Sequence, residues 1–148
     1  MATESARGVP IASLQPSLEN PNERQVHGVV TLIWPYSSTT RSLRLLLVEP
    51  DFRLRAKRGE VRILFRGASA RALSKAAVTN GDRLSLDLRG VEWVENKITN
   101  STPGREVNWS LEYHDFLNVQ VCQQASCFVY LLRIVDYPCH RRNRCVNY

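Results

Sequence analysis

Cationic side chains are the residues of this chain with the clearest capacity to bind a ligand. The 148 residues include 20 Lys and Arg against 14 Asp and Glu, a formal net charge of +6. Residues 51–100 hold eleven of the cations and six of the acids, so the excess lies in the middle third. Such a balance favours a polyanionic partner, and arginine can both bind phosphate and stack on flat rings. The clustered cations are Arg41, Arg44, Arg53, Arg55, Lys57, Arg58, Arg62 and Arg66.

Aromatic rings are the second group, because single-stranded nucleic acid binds by stacking bases on aromatic side chains beside cations. Trp34 and Tyr36 flank Pro35 at the end of an apolar run. Trp34 could cap a hydrophobic core or stack on a base, and the sequence leaves both open. Tyr36 lies in a Ser/Thr-rich segment with little to pack against, which favours a binding role. Trp93 ends an alternating segment and could equally belong to the core.

Catalytic chemistry has little support in this sequence. His114 precedes Asp115, but neighbouring strand residues point to opposite faces and would not act as a pair. The chain contains no nucleophile elbow, phosphate-binding loop or metalloprotease motif. We therefore predict that the protein is not an enzyme and uses no cofactor.

The cysteines all lie in the last 27 residues, at positions 122, 127, 139 and 145. With His140 they form only a marginal match to zinc-ligand spacing, so we predict no metal. A disulfide framework would run through the whole fold, which this distribution does not allow. No apolar run approaches the length of a membrane span, and the first twenty residues lack a signal-peptide pattern. We expect a reducing intracellular site and no membrane partner.

The alternation of apolar residues predicts the elements that must position these side chains. Strands are predicted at 26–34, 42–49 and 60–65, a helix at the alanine-rich stretch 68–78, and further strands at 84–94 and 109–121. The proline-containing residues 1–24 are predicted to be a flexible leader. Residues 25–121 would form the domain, and residues 122–148 a basic tail of uncertain structure.

The order strand-strand-strand-helix-strand-strand predicts an all-β fold with one short helix, a five-stranded OB-fold barrel. A six-stranded SH3-like barrel is the alternative. In an OB-fold the second and third strands carry the ligand, between loops that here comprise residues 35–41 and 95–108. Lys97 would lie in the second of these loops. Parity along the third strand puts Phe65 on the core face and Arg62 and Arg66 on the outer face.

Four stretches in this domain resemble a known family. HGVVTLIWP, LLLVEPDF, VRILFRGASARAL and NGDRLSLDLRGVEW are similar to the first OB domain of the protection-of-telomeres proteins, which bind single-stranded telomeric DNA. WSLEYHDFLNVQV resembles the closing strand of fungal members, and the similarity covers roughly residues 26–121. The resemblance implies that Phe65 stacks on a base, although strand parity places it on the core face. It implies that Trp93 or Val94 falls where the family has an aromatic residue, near the end of the fourth strand. It also implies that the Pro35–Tyr36 region closes over the DNA.

The expected partners follow from this resemblance. We expect single-stranded G-rich telomeric DNA at the chromosome end in the nucleus, and possible contacts with other telomere-complex proteins through regions missing here. The DNA-binding residues would be Trp34, Tyr36, Arg41, Arg44, Arg62, Phe65, Arg66, Trp93 and Lys97. Leu32 and Trp34 differ from the residues that the family often has, which motivates a protein-interaction OB module as an alternative. A general single-stranded nucleic-acid-binding OB domain is a further alternative.

Overall fold

The computed structural model describes residues 8–96, 106–114 and 116–123, and the backbone of a strand at 126–133. The described chain is mostly β-strand with one α-helix, which confirms the predicted class. The strands are β1 (Gly8–Val9), β2 (Gln25–Ser37), β3 (Ser42–Val48), β4 (Glu60–Arg66), β5 (Arg83–Asp87), β6 (Glu92–Glu95), β7 (Trp109–Tyr113), β8 (Phe116–Gln123) and β9 (Ser126–Arg133). The helix α1 spans Ala68–Lys75, and short 3-10 helices lie at Ile11–Ser13, Pro21–Glu23 and Phe52–Leu54.

The strands form an open mixed sheet in the order β6-β7-β4-β3-β2-β5-β8-β9, with β1 paired beside β2. The pairings of β1 with β2 and of β4 with β7 are parallel, and the remaining named pairings are antiparallel. No helix among the described residues is long and apolar enough to cross a membrane.

The helix α1 begins directly after β4, as its alanine-rich sequence predicts. Gly67 precedes it at φ +60°, a conformation that glycine adopts without steric cost. The buried Ser69 hydroxyl donates to the carbonyl oxygens of Arg66 and Tyr113, at 2.9 and 3.0 Å. The helix ends at Lys75, three residues before the predicted boundary, and Ala77 adopts the left-handed conformation common after a helix.

The core lies on the inward face of the sheet, where alternate strand residues are fully buried. Phe65 and Tyr113 are the largest of these side chains, and their rings stack with centroids 5.5 Å apart at 16°. Trp109 shares the parity of the buried Leu111 and Tyr113, but it is only half-buried at the start of β7.

A β-bulge in β2 reverses which residues point inward. Val30 pairs with Leu47 and Leu32 pairs with Leu46, so Thr31 is an extra residue in the strand. Before the bulge, Val26 and Val30 are buried. After the bulge, the even-numbered residues of β2 face outward, and Leu32 and Trp34 are 44% and 38% exposed.

The expectation of a flexible leader is wrong for residues 8–24. Val9, Ile11 and Leu14 are buried in the core, and Val9 pairs with Val26. The Ile11 N–H also donates to a Glu49 carboxylate oxygen at 3.1 Å. These three apolar residues are too widely spaced to form a strand or helix pattern. Their burial could therefore not be predicted from the sequence and is seen only in the packed structure.

Two other boundaries differ from the sequence prediction. Gly90, at φ +74°, turns the chain between β5 and β6, so 84–94 forms two strands with different partners and not one bulged strand. The chain after Val121 was predicted to have no clear element, but β9 pairs along the whole of β8. Within that hairpin Cys122 is disulfide-bonded, and Cys127 is its backbone partner. A bonded sulfur is not a thiolate ligand, which removes Cys122 from the marginal zinc pattern.

Candidate functional site

The outer faces of β3, β4, β6 and β7 border a cleft of about 290 Å³, which we call the arginine cleft. Arg44 lies opposite Leu64 across the β3–β4 pair, and Leu64 lies opposite Glu112 across the β4–β7 pair. These cross-strand neighbours share the outer face of the sheet. Three of the sequence-predicted cations therefore meet in one site. The lining residues are Arg44, Arg62, Ile63, Leu64, Arg66, Val94, Asn96, Ser110, Leu111 and Glu112.

Two of the three arginines are paired with carboxylates. Arg62 contacts Glu106 through Nε and Nη2, both at 3.2 Å from Oε1, and Arg66 Nε donates to Glu112 Oε1. The glutamate side chains are 13% and 14% exposed, while those of Arg62 and Arg66 are 41% and 50% exposed. The carboxylates therefore lie beneath the guanidinium groups, which remain accessible from solvent.

The third arginine, Arg44, is placed beside an exposed aromatic ring. Arg44 is the cross-strand partner of Trp34, and its Cζ lies 5.9 Å from the indole centroid. A cation at that distance interacts with the ring by about 0.5–1 kcal/mol at an exposed site. Trp34 does not cap the core, because the bulge at Thr31 turns it outward. The pair forms a flat, cationic surface along the margin of the arginine cleft.

Phe65 does not belong to this surface, and its implied base-stacking role requires correction. The side chain is fully buried, and one face of its ring stacks on Tyr113. The regular pairing of β4 with β3 contains no bulge that would turn Phe65 outward. Parity therefore gave the right orientation, and the resemblance gave the wrong one. Leu64 occupies the outer position instead.

The resemblance gave Trp93 and Val94 as alternatives for one site position, and the structure places Val94 in the cleft. Trp93 is half-buried and packs against the core, and it is not among the residues that line the arginine cleft. Val94 is 39% exposed and lines the cleft. Strand alternation accounts for the difference, since the neighbouring residues of β6 point to opposite faces.

The remaining predicted site residues lie apart from the cleft. Tyr36 is partly buried and packs against the core. Arg41 is exposed in the turn before β3, at φ +51°, and its carbonyl oxygen accepts from the Gly67 N–H at 2.8 Å. Lys97 lies outside the described residues.

Sequence reasoning missed the polar side chains that join the two ends of the 95–108 loop. The Ser110 hydroxyl donates to Asn96 Oδ1, and Asn96 Nδ2 donates to the Val107 carbonyl oxygen at 3.0 Å. Glu112 alternates with Leu111 and Tyr113, so strand parity could have identified it as an outward residue of the site. Glu106 carried no such signal, because it falls in an irregular polar segment.

Glu92, Glu112 and His114 form a polar cluster at the rim of the cleft. Each provides one potential ligand atom, and these atoms lie within 4.8 Å of one another. His114 Nε2 is 3.0 Å from Glu92 Oε2 and 3.3 Å from Glu112 Oε1. Arg66 donates to the same Glu112 oxygen. The cluster is thus an extension of the arginine–carboxylate network.

Fold and site together define a mostly β protein with an arginine-lined cleft on the outer face of its sheet. The chain belongs to the family described as Domain of unknown function (DUF8502), whose family model matches residues 4–127. The matched range includes all the residues that line the cleft and the described N-terminal segment. No curated protein is similar enough to the chain to match it.

Proposed function

We propose that the protein binds single-stranded DNA along the arginine cleft, without catalysis and without a cofactor. The observation that carries this proposal is the juxtaposition of the exposed Trp34 ring with Arg44 and, across β3 and β4, with Arg62 and Arg66. Single-strand binders combine a cationic groove for the phosphates with rings on which bases stack. Trp34 takes the stacking role that the resemblance implied for Phe65.

We further propose that the sheet closes into an OB-fold barrel. β4 pairs in parallel with β7, and β5 pairs antiparallel with β8. β7 ends at Tyr113 and β8 begins at Phe116, so two residues separate strands that pair with opposite sides of the sheet. Two successive halves of one closing strand would produce this pattern. In such a barrel β3 and β4 are the second and third strands, the usual ligand face.

The resemblance to the protection-of-telomeres proteins gives the proposal its specific form. The expected ligand is the G-rich single strand of a telomere, and the expected location is the chromosome end in the nucleus. The outward Trp34 and the cationic outer face support strand binding in general. Preference for a telomeric DNA sequence is supported by the resemblance alone. The experiment must therefore separate single-strand binding in general from preference for the telomeric sequence.

A titration by fluorescence anisotropy tests the proposal. The probes are a labelled G-rich telomeric strand, a (dT) strand and an RNA strand of equal length, each at about 50 and 200 mM salt. Three arginine–phosphate contacts contribute a slope of about −2 to log K against log salt, or roughly a twentyfold loss over that range. Tightest binding to the telomeric strand supports the full proposal. Equal binding to all three supports a general single-stranded nucleic-acid-binding domain.

Matched variants locate the binding site on the protein. Arg62→Gln with Arg66→Gln should reduce the salt slope by about 1.4. The control removes two exposed cations from α1 instead, by Arg71→Gln with Lys75→Gln, and should bind like the wild type. Saturable binding that is equally affected by both double variants, or absent at low salt, refutes the assignment.

A protein-interaction module is the second candidate, and the carboxylates in the site favour it. Glu106 and Glu112 already neutralise Arg62 and Arg66, and Leu64 and Val94 add apolar surface to the cleft. A peptide that presents both apolar and polar groups would fit such a surface. Chromatin-associated partners that are captured by the wild type, are lost with Val94→Asp and are unaffected by excess oligonucleotide would favour this function.

A further inference from the structure

The loop between β3 and β4 presents the most exposed large apolar side chain among the described residues. Phe52 lies in the 3-10 helix Phe52–Leu54 and is 78% exposed, and Leu54 beside it is 45% exposed. Neither residue was among the predicted DNA-binding residues, and neither lines the arginine cleft. A ring left in water forgoes the stabilisation that burial would give, which makes this exposure informative.

Hydrogen bonds within the loop fix this exposed conformation. Asp51 Oδ1 accepts from the Arg53 N–H at 3.0 Å, and the Lys57 N–H donates to the Leu54 carbonyl oxygen at 3.2 Å. The hydrogen bond from the Arg53 backbone lowers the pKa of Asp51. The loop also folds closely over Gly59, where an added Cβ would lie 2.5 Å from the Leu54 carbonyl oxygen. The loop therefore displays Phe52 from a compact base.

The loop couples this ring to cations. The Arg55 guanidinium carbon lies 4.1 Å from the Phe52 ring centroid, and Arg55 Nε donates to the Glu49 carbonyl oxygen at 2.8 Å. Lys57 and Arg58 follow on the exposed surface. Among the residues that the structure describes, no carboxylate forms an ion pair with Arg55, Lys57 or Arg58. A ring with one cation-covered face, one free face and unpaired cations beside it resembles half of a base-binding sandwich.

The loop continues the hairpin that carries the arginine cleft. Arg62 lines the cleft, and the loop closes with the hydrogen bond from the Glu49 N–H to the Gly59 carbonyl oxygen. Two residues lie between Gly59 and Arg62, so three steps along the β-strand, about 10 Å, separate them. A nucleic-acid strand that leaves the cleft along this hairpin would reach the loop within a few nucleotides.

We propose that the loop at residues 51–58 is a second nucleic-acid contact, in which Phe52 stacks on a base and Arg55, Lys57 and Arg58 face phosphates. This inference rests on the proposed single-strand-binding function and extends it from the cleft to a longer strand. An anionic membrane would also attract cations beside exposed apolar groups. The geometry favours the nucleic acid, because Arg55 already covers one face of the ring and would have to enter the acyl region with it.

Strand length separates the two contacts in an experiment. The labelled probes are telomeric-type single strands of about 6 and 12 nucleotides, within the range that one OB domain covers. Phe52→Ala should weaken binding of the longer strand by about 5- to 150-fold, the effect of losing one stacked base, and leave the shorter strand unchanged. Phe52→Tyr keeps a ring and should restore the affinity.

A charge variant tests the phosphate contacts separately. Lys57→Gln with Arg58→Asn should reduce the salt slope for the longer strand by about 1.4. Asparagine is chosen because Arg58 lies at φ +54°, which asparagine tolerates. Arg71→Gln with Lys75→Gln removes the same charge from α1 and should leave the slope unchanged.

The possible contrary results are distinct. If the wild type binds both strands and Phe52→Ala binds them equally well, the loop contact is refuted while the cleft assignment stands. If the wild type binds neither strand, the proposed function itself fails. If Phe52→Ala loses binding to phosphatidylserine vesicles but keeps full affinity for both strands, the loop is a membrane contact and the inference is overturned.

Discussion

Phe65→Ala should lower stability and leave single-strand binding unchanged, whereas Trp34→Ala should weaken binding with little effect on stability. Phe65 is fully buried against Tyr113, while Trp34 is 38% exposed beside Arg44. The resemblance to telomere-protection proteins implies a base-stacking Phe65, and the structure assigns the exposed ring to Trp34. Measuring both properties of both variants therefore tests the assignment of the binding face.

The burial of each ring sets the expected magnitudes. Phe65→Ala removes a fully enclosed aromatic ring and should lower the free energy of unfolding by about 3–5 kcal/mol. Loss of its stack on Tyr113 is part of that cost. Trp34→Ala removes a ring that lies outside the core, so the unfolding free energy should fall by only about 0.5–1 kcal/mol, the contribution of its contact with Arg44. The same variant should weaken strand binding by about 1–3 kcal/mol if one base stacks there.

Urea denaturation and anisotropy titration provide the two readouts. If Phe65→Ala is too unstable to assay, Phe65→Leu keeps an apolar side chain and should cost roughly 1.5 kcal/mol. Binding by the folded fraction of either Phe65 variant should match the wild type. The reasoning is refuted if a Phe65 variant loses strand affinity at nearly unchanged stability, or if Trp34→Ala unfolds readily and binds normally.

Two further predictions concern the cleft carboxylate and the buried phenol. Glu112→Gln should remove the carboxylate that competes with phosphate for Arg66 and so raise the affinity for single strands; weaker binding would mean that Glu112 instead positions Arg66. Burial and the charge of Asp87 raise the pKa of Tyr113, so the folded state resists deprotonation while the unfolded state titrates near pH 10. Stability should therefore fall above about pH 10, and urea denaturation of Tyr113→Phe should show less of this loss; an equal loss in both would contradict the assigned cause.

Local alternation predicted the inner strands and the helix well, because one buried face imposes a period of two on each strand. The orientation of Phe65 followed from its neighbours Val61 and Ile63 alone. Similarity of sequence stretches gave no better guide at this position, since a stacking residue and a core residue of the same type are indistinguishable without their surroundings.

Features that depend on distant partners were beyond such reasoning. Ile11 is buried because a site on the folded sheet accepts it and Glu49 receives its N–H. Thr31 gives no sign of being a bulge residue, yet it determines that Trp34 faces outward. The sequence could therefore nominate Trp34 as either a core or a binding residue but could not decide between them.

The net charge of the arginine cleft was the feature hardest to predict from the sequence. Arg62 and Glu106 are 44 positions apart, and the contact between them requires the end of the 95–108 loop to return alongside β4. A basic middle third implied a strongly positive face, but two partly buried glutamates leave Arg44 as the arginine of the cleft without a carboxylate partner among the described residues. Electrostatic attraction at the cleft is therefore weaker than composition suggests. In the proposed function, the affinity for single strands must then depend more on the exposed Trp34 ring and on the cations of the neighbouring loop, which is why these two places are the most informative to alter.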